Sequence, residues 1–207
     1  MKKLNLIASF LVALVLVAFT IGEEKYETLS IGDAAPMTSA KMENTDGTML
    51  NLESLAKENG TLVIFTCNTC PFVIQWENRY PEIAELADKN NIGMALINSN
   101  EAKRKGEDSI EEMKQHAIEK GYSELAYLVD NNSALANAFG AKTTPHVFLF
   151  DKDWKLVYEG SIDDNSRDAN AVKSPYLKEA LKNLKAGKEI DPKNTKAIGC
   201  SIKRVKV

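Results

Sequence analysis

Residues 61–80 read TLVIFTCNTCPFVIQWENRY, and this stretch sets the expectation for the whole fold. The continuous apolar run 62–65 is typical of a buried strand, and the apolar spacing from Phe72 onward predicts a helix. Cys67 and Cys70 therefore lie at a strand-to-helix junction. The free N–H groups and partial positive charge of a helix N-terminus stabilise an anion, so the first cysteine is expected to be a thiolate.

This Cys-x-x-Cys pair predicts thiol–disulfide chemistry, with a static structural disulfide as the alternative. A disulfide closed across two residues at a helix start is strained and accessible, and such disulfides tend to be reducible. In the expected mechanism the Cys67 thiolate attacks a substrate disulfide and Cys70 resolves the mixed disulfide. No Asp or Glu lies between Asn59 and Cys67, so the proton acceptor for Cys70 is expected to be water or a distant acid, with Glu77 as one candidate.

Beyond the motif, strand-like and helix-like patterns alternate and then end in a hairpin and a helix, which predicts an α/β domain with a mixed central sheet flanked by helices. Pro81 is expected to kink or split the motif helix and to bias Tyr80 away from helical angles. Asp46-Gly47 predicts a turn between two short extended pieces. The other expected elements are strands at 92–97, 125–129, 146–150 and 155–159, and helices at 51–58, 108–120, 133–139 and 171–184. Pro175 could move the start of the last helix further along the chain.

The first 22 residues have the pattern of a targeting segment. Lys2 and Lys3 precede an apolar run from Leu4 to Phe19, whose length lies between a signal-peptide core and a membrane-spanning helix. A cleaved signal peptide or an uncleaved anchor at 1–22 is expected, and a buried helix is the third possibility. Either main interpretation puts residues 23–207 outside the cytoplasm, with the bacterial periplasm as the expected compartment.

The composition fits one domain and argues against nucleic acid as a partner. Removal of residues 1–22 would leave 185 residues, enough for a full core, and would change the net charge from −3 to −5. A mildly acidic chain with scattered lysines has no basic patch for phosphates. The basic end 203–206 is interpreted as a solvated tail. A membrane contact is expected only through residues 1–22, if these are retained.

Four stretches carry a resemblance to a known family: 31–36 (IGDAAP), 66–71 (TCNTCP), 140–146 (GAKTTPH) and 198–203 (IGCSIK). With them the chain resembles the thioredoxin-like superfamily, and within it the peroxiredoxin-like branch known as redoxin or AhpC/TSA. The resemblance implies a thioredoxin-like fold with an N-terminal extension and a C-terminal tail. It also implies an oxidoreductase without an organic cofactor or metal, whose partners are proteins that carry thiols or disulfides.

The resemblance also assigns residues far from the motif. Pro145 matches a proline with a cis peptide bond that faces the active-site disulfide, and Thr144 would pair with an extended substrate segment. Cis X-Pro bonds are rare and mark a fixed backbone. His146 follows this site and is either a core residue or an auxiliary group near the thiols. Thioredoxins have Gly-Pro where this chain has Asn68-Thr69, and they carry a buried acid on the preceding strand that this chain lacks. The reduction potential of thioredoxins therefore cannot be assumed for this chain.

Two alternative functions remain open from the sequence. A peroxiredoxin-type thiol peroxidase with an antioxidant role needs Pro-x-x-x-Thr/Ser-x-x-Cys, but with Cys70 as the peroxidatic residue the first two positions are Val63 and Cys67. A protein that binds Cu(I) without catalysis could use both thiolates and the His146 imidazole. His116, on the predicted polar helix, is expected to be exposed, and Trp76 is expected in the core.

Cys200 is the odd cysteine of three. In an oxidising compartment an unpaired cysteine can stay free, pair with another molecule or exchange with an existing disulfide. Cys200 is therefore either an idle or structural thiol, or an auxiliary residue that resolves or exchanges with the Cys67–Cys70 disulfide. The sequence does not establish whether it reaches the site.

Overall fold

The computed structural model describes residues 26–205 and has a mixed, seven-stranded sheet with helices on both faces. The predicted targeting segment, 1–22, lies outside the described residues. Within 26–205, no helix has both the length and the apolar character needed to cross a membrane.

The strands and helices follow one another in a largely alternating order. The strands are β1 (Met42–Asn44), β2 (Met49–Leu50), β3 (Gly60–Thr66), β4 (Ile92–Asn98), β5 (Tyr127–Val129), β6 (Thr143–Thr144), β7 (His146–Phe150), β8 (Leu156–Gly160) and β9 (Cys200–Ser201). The helices are α1 (Leu52–Leu55), α2 (Pro71–Trp76), α3 (Tyr80–Lys89), α4 (Ile110–Glu119), α5 (Ala134–Phe139) and α6 (Tyr176–Lys185), with 3₁₀ turns at Glu77–Arg79, Glu101–Lys103, Asn131–Ser133 and Ala169–Ala171.

The sheet has the order β2-β1-β5-β4-β3-β7-β8. Strand β3, which leads into the cysteine motif, is central: it pairs in parallel with β4 from Gly60 to Thr66 and antiparallel with β7 from Thr61 to Phe65. Burial on both faces explains why β3 is a continuous apolar run rather than an alternating one. The cysteine motif therefore follows a strand that is paired on both sides, with β4 and with β7.

Two apolar cores, one on each face of the sheet, hold the helices in place. Successive strand side chains point to opposite faces, so Leu62 and Ile64 join one core while Val63 and Phe65 join the other. Helices α2, α3, α4 and α6 contribute buried side chains to the first core, and α1 and α5 to the second. This arrangement confirms the predicted α/β class with a mixed sheet.

Proline and cap residues explain most element boundaries. The motif helix is split as predicted: α2 ends at Trp76, a 3₁₀ turn follows, and Pro81 sits in the first turn of α3. The expectation for Tyr80 was wrong, since its φ of −57° and ψ of −44° are helical. An N-terminal proline suits the first turn of a helix because its missing N–H has no intrahelical partner there. Helix α6 starts after Pro175, and the third core strand, β5, is shorter than predicted.

The C-terminal segment is docked, so the predicted solvated tail is wrong for its first residues. The Lys203 N–H donates to Asn100 Oδ1 at 2.8 Å, and the Ala102 N–H donates to the Lys203 carbonyl at 2.8 Å. The Arg204 guanidinium donates to the Ala141 carbonyl at 2.6 Å and lies over the Tyr26 ring. Backbone hydrogen bonds and the Arg204 guanidinium together fix this end of the chain, which composition could not reveal.

Candidate active site

The motif turns directly from strand to helix. Strand β3 ends at Thr66, and Cys70 is the N-cap of α2, with Pro71 as its first helical residue. The free N–H groups of the first turn therefore lie closest to the second cysteine. The helix start agrees with the prediction to within one residue, but the effect of the helix N-terminus was expected at Cys67 and instead falls closest to Cys70.

Helix α2 is anchored from below by a buried ion pair. Trp76, a core residue as predicted, donates from Nε1 to Asp163 Oδ1 at 2.9 Å. Arg79 binds the other oxygen of Asp163, and both side chains of this pair are only 5% exposed. Removal of one member of a buried pair leaves an uncompensated charge, so these contacts fix α2 relative to the sheet.

Thr144 contacts both sulfurs of the motif. Its hydroxyl lies 3.3 Å from Cys67 Sγ, and its carbonyl oxygen lies 3.2 Å from Cys70 Sγ, from which it accepts the hydrogen when that thiol is protonated. The Thr144–Pro145 peptide bond is cis, as predicted, and both residues are buried. The structure thus brings together Cys67, Cys70, Thr144 and Pro145.

The thiolate is favoured on Cys70 and not on Cys67. A hydrogen bond from the Cys67 thiol is the main cause that lowers the pKa of Cys70, to about 4, with help from the Cys200 thiol and the Val73 N–H. The same Cys67–Cys70 hydrogen bond, then burial, raises the pKa of Cys67, and the Asp108 charge adds to this. These contacts favour the charge on Cys70 over Cys67, where the sequence led us to expect it, because the donors converge on Cys70.

Cys200 reaches the site. Strand β9 pairs antiparallel with β6 so that Cys200 is opposite Thr144. Its side chain packs against the apolar group formed by Cys67, Cys70 and Val73. Burial, followed by hydrogen bonding to Cys70, raises the pKa of Cys200. All three cysteines are free thiols in this structure.

A buried carboxylate lies beside the first cysteine. Asp108 is fully buried, and its Oδ1 accepts from the Asn68 backbone N–H at 2.9 Å and from Asn98 Nδ2 at 2.8 Å. Its Oδ2 accepts from Asn100 Nδ2 at 2.9 Å. Tyr127, also fully buried, donates to Asn68 Oδ1 at 2.9 Å and so extends the network. We call Asp108, Asn68, Asn98, Asn100 and Tyr127 the Asp108 network.

Sequence reasoning missed Asp108 because it placed this residue at the start of the predicted helix 108–120. Helix α4 starts later, and its cap is Ser109, whose hydroxyl accepts from the Glu112 N–H. That leaves the Asp108 carboxylate free to turn inward. A buried acid from outside β3 therefore lies near Cys67, but no local spacing in the sequence marks which one.

His146 does not contact the cysteines. Its Nδ1 accepts from the Lys142 N–H at 3.2 Å, and its Nε2 faces the carboxylate of Glu159 on β8. It is 1% exposed, so it is a hydrogen-bonded core residue. Within residues 26–205, no group of three or more His, Cys, Asp or Glu side chains is arranged to hold a metal ion. The Cu(I) hypothesis therefore lacks the imidazole on which it depended.

Glu77 has other partners than Cys70. Its buried carboxylate contacts His116 Nε2 at 2.7 Å and Lys120 Nζ at 2.8 Å. These two contacts outweigh burial and lower the pKa of Glu77. The prediction of an exposed His116 was wrong, since its side chain is only 14% exposed. A buried acid on the facing 3₁₀ turn draws this histidine inward, which the polar pattern of α4 did not show.

The sulfurs open onto a cleft of about 230 Å³. Its walls combine the three cysteines with Thr144 and with charged side chains of both signs. The lining residues are Cys67, Thr69, Cys70, Pro71, Asn100, Lys103, Glu107, Thr144, Cys200, Ser201 and Lys203. A cleft of this size and mixed polarity admits a small reagent or one side chain of a partner segment.

The fold and the site define a thioredoxin-like protein with a dithiol at the start of a helix. The sequence model of the family described as Redoxin matches residues 30–174, so the chain belongs to that family. No curated protein sequence matches this chain significantly.

Solved structures with the same fold include one at higher sequence identity. An uncharacterized conserved protein from Geobacillus kaustophilus is 34% identical, with 86% of this chain and 94% of that chain covered and a TM-score of 0.78. Two more distant structures share the fold. Peroxidoxin BcpB from Mycobacterium tuberculosis is 18% identical, with 76% and 97% covered and a TM-score of 0.57. The thioredoxin domain of a thiol-disulfide oxidoreductase from Bacteroides vulgatus is 17% identical, with 64% and 89% covered and a TM-score of 0.52.

Proposed function

We propose that this protein is a thiol–disulfide oxidoreductase that acts on protein disulfides outside the cytoplasm. Membership of the Redoxin family supports an oxidoreductase. The observation that carries the proposal is the position of Thr144, whose hydroxyl and carbonyl contact the two sulfurs of one Cys-x-x-Cys pair. This geometry holds both sulfurs ready to alternate between a dithiol and a disulfide.

The reaction begins at Cys70. Its thiolate attacks one sulfur of a substrate disulfide, and the other substrate sulfur leaves as a thiolate. Cys67 then attacks Cys70 in the mixed disulfide, the second substrate sulfur is released, and the protein holds a Cys67–Cys70 disulfide. The proton that Cys67 loses goes to a released substrate thiolate, and two electrons have passed to the substrate. Electrons return from a partner thiol protein, and no organic cofactor or metal takes part.

The location outside the cytoplasm is supported by the sequence pattern of residues 1–22. Two lysines precede an apolar run, as in a secretory signal peptide or an N-terminal anchor. The bacterial periplasm is the compartment that we propose. Disulfide substrates also persist in oxidising compartments rather than in the cytosol.

A thiol peroxidase is the second candidate, and the lowered pKa of Cys70 favours it. A cysteine that is a thiolate at neutral pH is the reactive form toward peroxide. Against it, Val63 is buried in the core and Cys67 occupies the position where the peroxiredoxin pattern has Thr or Ser. Consumption of hydrogen peroxide with dithiothreitol as reductant separates the two functions.

The reduction potential of residues 23–207 tests the main proposal. The protein is equilibrated in glutathione or dithiothreitol redox buffers, its free thiols are alkylated, and the disulfide is located by peptide mapping. We expect a cooperative two-thiol titration that maps to Cys67 and Cys70. A value near −270 mV would indicate a reductase and one near −120 mV an oxidant. A pair that never oxidises, or a disulfide that these buffers never reduce, would refute the proposal.

A further inference from the structure

The chain's own C-terminal segment occupies the edge of Thr144 where the resemblance led us to expect a substrate segment. Strand β9 pairs antiparallel with β6, and the Ile202 N–H continues this ladder by donating to the Lys142 carbonyl at 3.1 Å. Gly199 makes the approach possible, because a Cβ there would lie 2.2 Å from the Thr144 carbonyl oxygen. The segment 199–203 is therefore placed as an extended peptide bound across the cleft.

This pairing presents Cys200 to the active-site sulfurs. The Cys200 side chain lies against Cys70, and both its thiol and its backbone N–H stabilise the Cys70 thiolate. The Phe72 N–H, from the first turn of α2, in turn faces the Cys200 sulfur. Cys70 thus lies between two thiols, Cys67 on the motif loop and Cys200 on β9.

Exposure differs between the three cysteines. Cys67 is 2% exposed and Cys70 is 5% exposed, whereas Cys200 is partly exposed. A protein-sized partner must bring its own sulfur into line with the sulfur it attacks. Cys200 is the cysteine of the cleft that offers such a partner the most access.

We propose that Cys200 replaces Cys67 as the disulfide partner of Cys70. The disulfide then includes the more exposed sulfur of Cys200, and the partner protein reacts there. In this step Cys200 attacks Cys70 in the Cys67–Cys70 disulfide. The Cys70–Cys200 bond forms, the Cys67–Cys70 bond breaks, and the thiol proton moves from Cys200 to Cys67. No external oxidant is consumed, because one disulfide replaces another. This inference rests on the proposed redox function of Cys67 and Cys70.

The test uses oxidised glutathione as the probe and residues 23–207 in wild-type and variant form. Reduced protein is oxidised, quenched with acid, alkylated with N-ethylmaleimide and mapped by mass spectrometry. In Cys67→Ser we expect a Cys70–Cys200 disulfide within one chain at every protein concentration. In Cys67→Ser/Cys200→Ser, a mixed disulfide between Cys70 and glutathione should remain instead.

A matched control moves the third thiol out of the cleft. In Cys67→Ser/Cys200→Ser with Val205→Cys, the new thiol stands at an exposed position that does not line the cleft. We expect no disulfide to Cys70 in this protein. The inference is overturned if Cys67→Ser keeps the glutathione adduct, if its disulfide joins two chains only, or if the Val205→Cys protein pairs equally well.

The oxidised wild-type protein gives a second measurement that needs no substitution. Each oxidised chain has one free thiol, and exchange predicts that alkylation finds it at Cys200 in some chains and at Cys67 in others. Alkylation at Cys200 alone would overturn the inference and leave the Cys67–Cys70 redox pair intact. A wild-type protein that forms no Cys67–Cys70 disulfide would instead refute the proposed function itself.

Discussion

The two sulfurs that flank Cys70 are held in very different ways. Cys67 follows β3, which pairs over seven residues with β4 and over five with β7. Cys200 lies on β9, whose ladder with β6 has two residue pairs. One sulfur is attached to the centre of the sheet, and the other to a short strand near the end of the chain.

The polar surroundings repeat this contrast. On the Cys67 side, the Asp108 network lies in the interior and satisfies the backbone N–H of Asn68 with a fully buried carboxylate. On the Cys200 side, the segment joins this network through the bond from the Lys203 N–H to Asn100, and Ser201 and Lys203 are themselves exposed. Buried networks are rigid and costly to break, whereas short edge pairings open at low free energy. A rigid partner and an exchangeable partner for the same sulfur are what a disulfide relay requires.

The largest effect is expected from the shared sulfur. Cys70→Ser removes the common partner of Cys67 and Cys200, so reduction of a protein disulfide such as that of insulin should fall to the uncatalysed background. Cys200→Ser should keep the Cys67–Cys70 pair and measurable activity. Full activity in Cys70→Ser would show that Cys70 is dispensable and would invalidate the comparison.

Substitution of Asp108 tests the contribution of the Asp108 network on the Cys67 side. Asp108→Ala removes three buried hydrogen bonds, those from the Asn68 N–H, Asn98 Nδ2 and Asn100 Nδ2, and a buried donor left unsatisfied costs about 1–3 kcal/mol. We expect the free energy of unfolding, measured in urea, to fall by about 3 kcal/mol or more. Asp108→Asn keeps one acceptor oxygen and should cost clearly less. Equal and small losses in both variants would mean that the network does not support the site.

The charge on Cys70 is tested by pH. With its pKa lowered to about 4, Cys70 stays a thiolate at neutral pH, and its alkylation by iodoacetamide should slow only as the pH falls through that value. Cys67→Ala removes the hydrogen-bond donor that is the main cause of the shift. If the pKa of Cys70 then returns to about 8.5, alkylation at pH 6.5 falls about a hundredfold. A pH profile unchanged by Cys67→Ala would argue against the Cys67–Cys70 hydrogen bond.

The smallest effect on stability is expected from a change beside β9, the strand that carries Cys200. Gly199→Ala forces β9 away from Thr144, so formation of the Cys70–Cys200 disulfide in a Cys67→Ser background should slow about tenfold, the effect of about 1.4 kcal/mol. Unfolding in urea should change little, because the ladder between β6 and β9 has only two residue pairs. Gly106→Ala is the control, since its Cβ would meet only one atom, at 3.8 Å. Equal rates of disulfide formation in the two variants would mean that the exchange does not depend on the pairing of β9 with β6.

Some residues of the site could be predicted from the sequence, and others could not. The apolar run of β3 and the cysteine spacing placed Cys67 and Cys70 correctly, because strand burial and helix starts follow from neighbouring residues. The cis Thr144–Pro145 bond was also predicted, through the family resemblance. Asp108 was missed because its role depends on Asn68 and Asn98, which lie forty and ten positions away.

By itself, the sequence determined the α/β class, the order of its main strands and helices, and the dithiol motif, because each is written in local spacing and capping. Only the tertiary structure decided which sulfur carries the charge, where His146 and His116 point, and that Cys200 lies against Cys70. The physical reason is that a thiol pKa and a thiol's accessibility depend on donors, carboxylates and burial supplied by segments far apart in the chain.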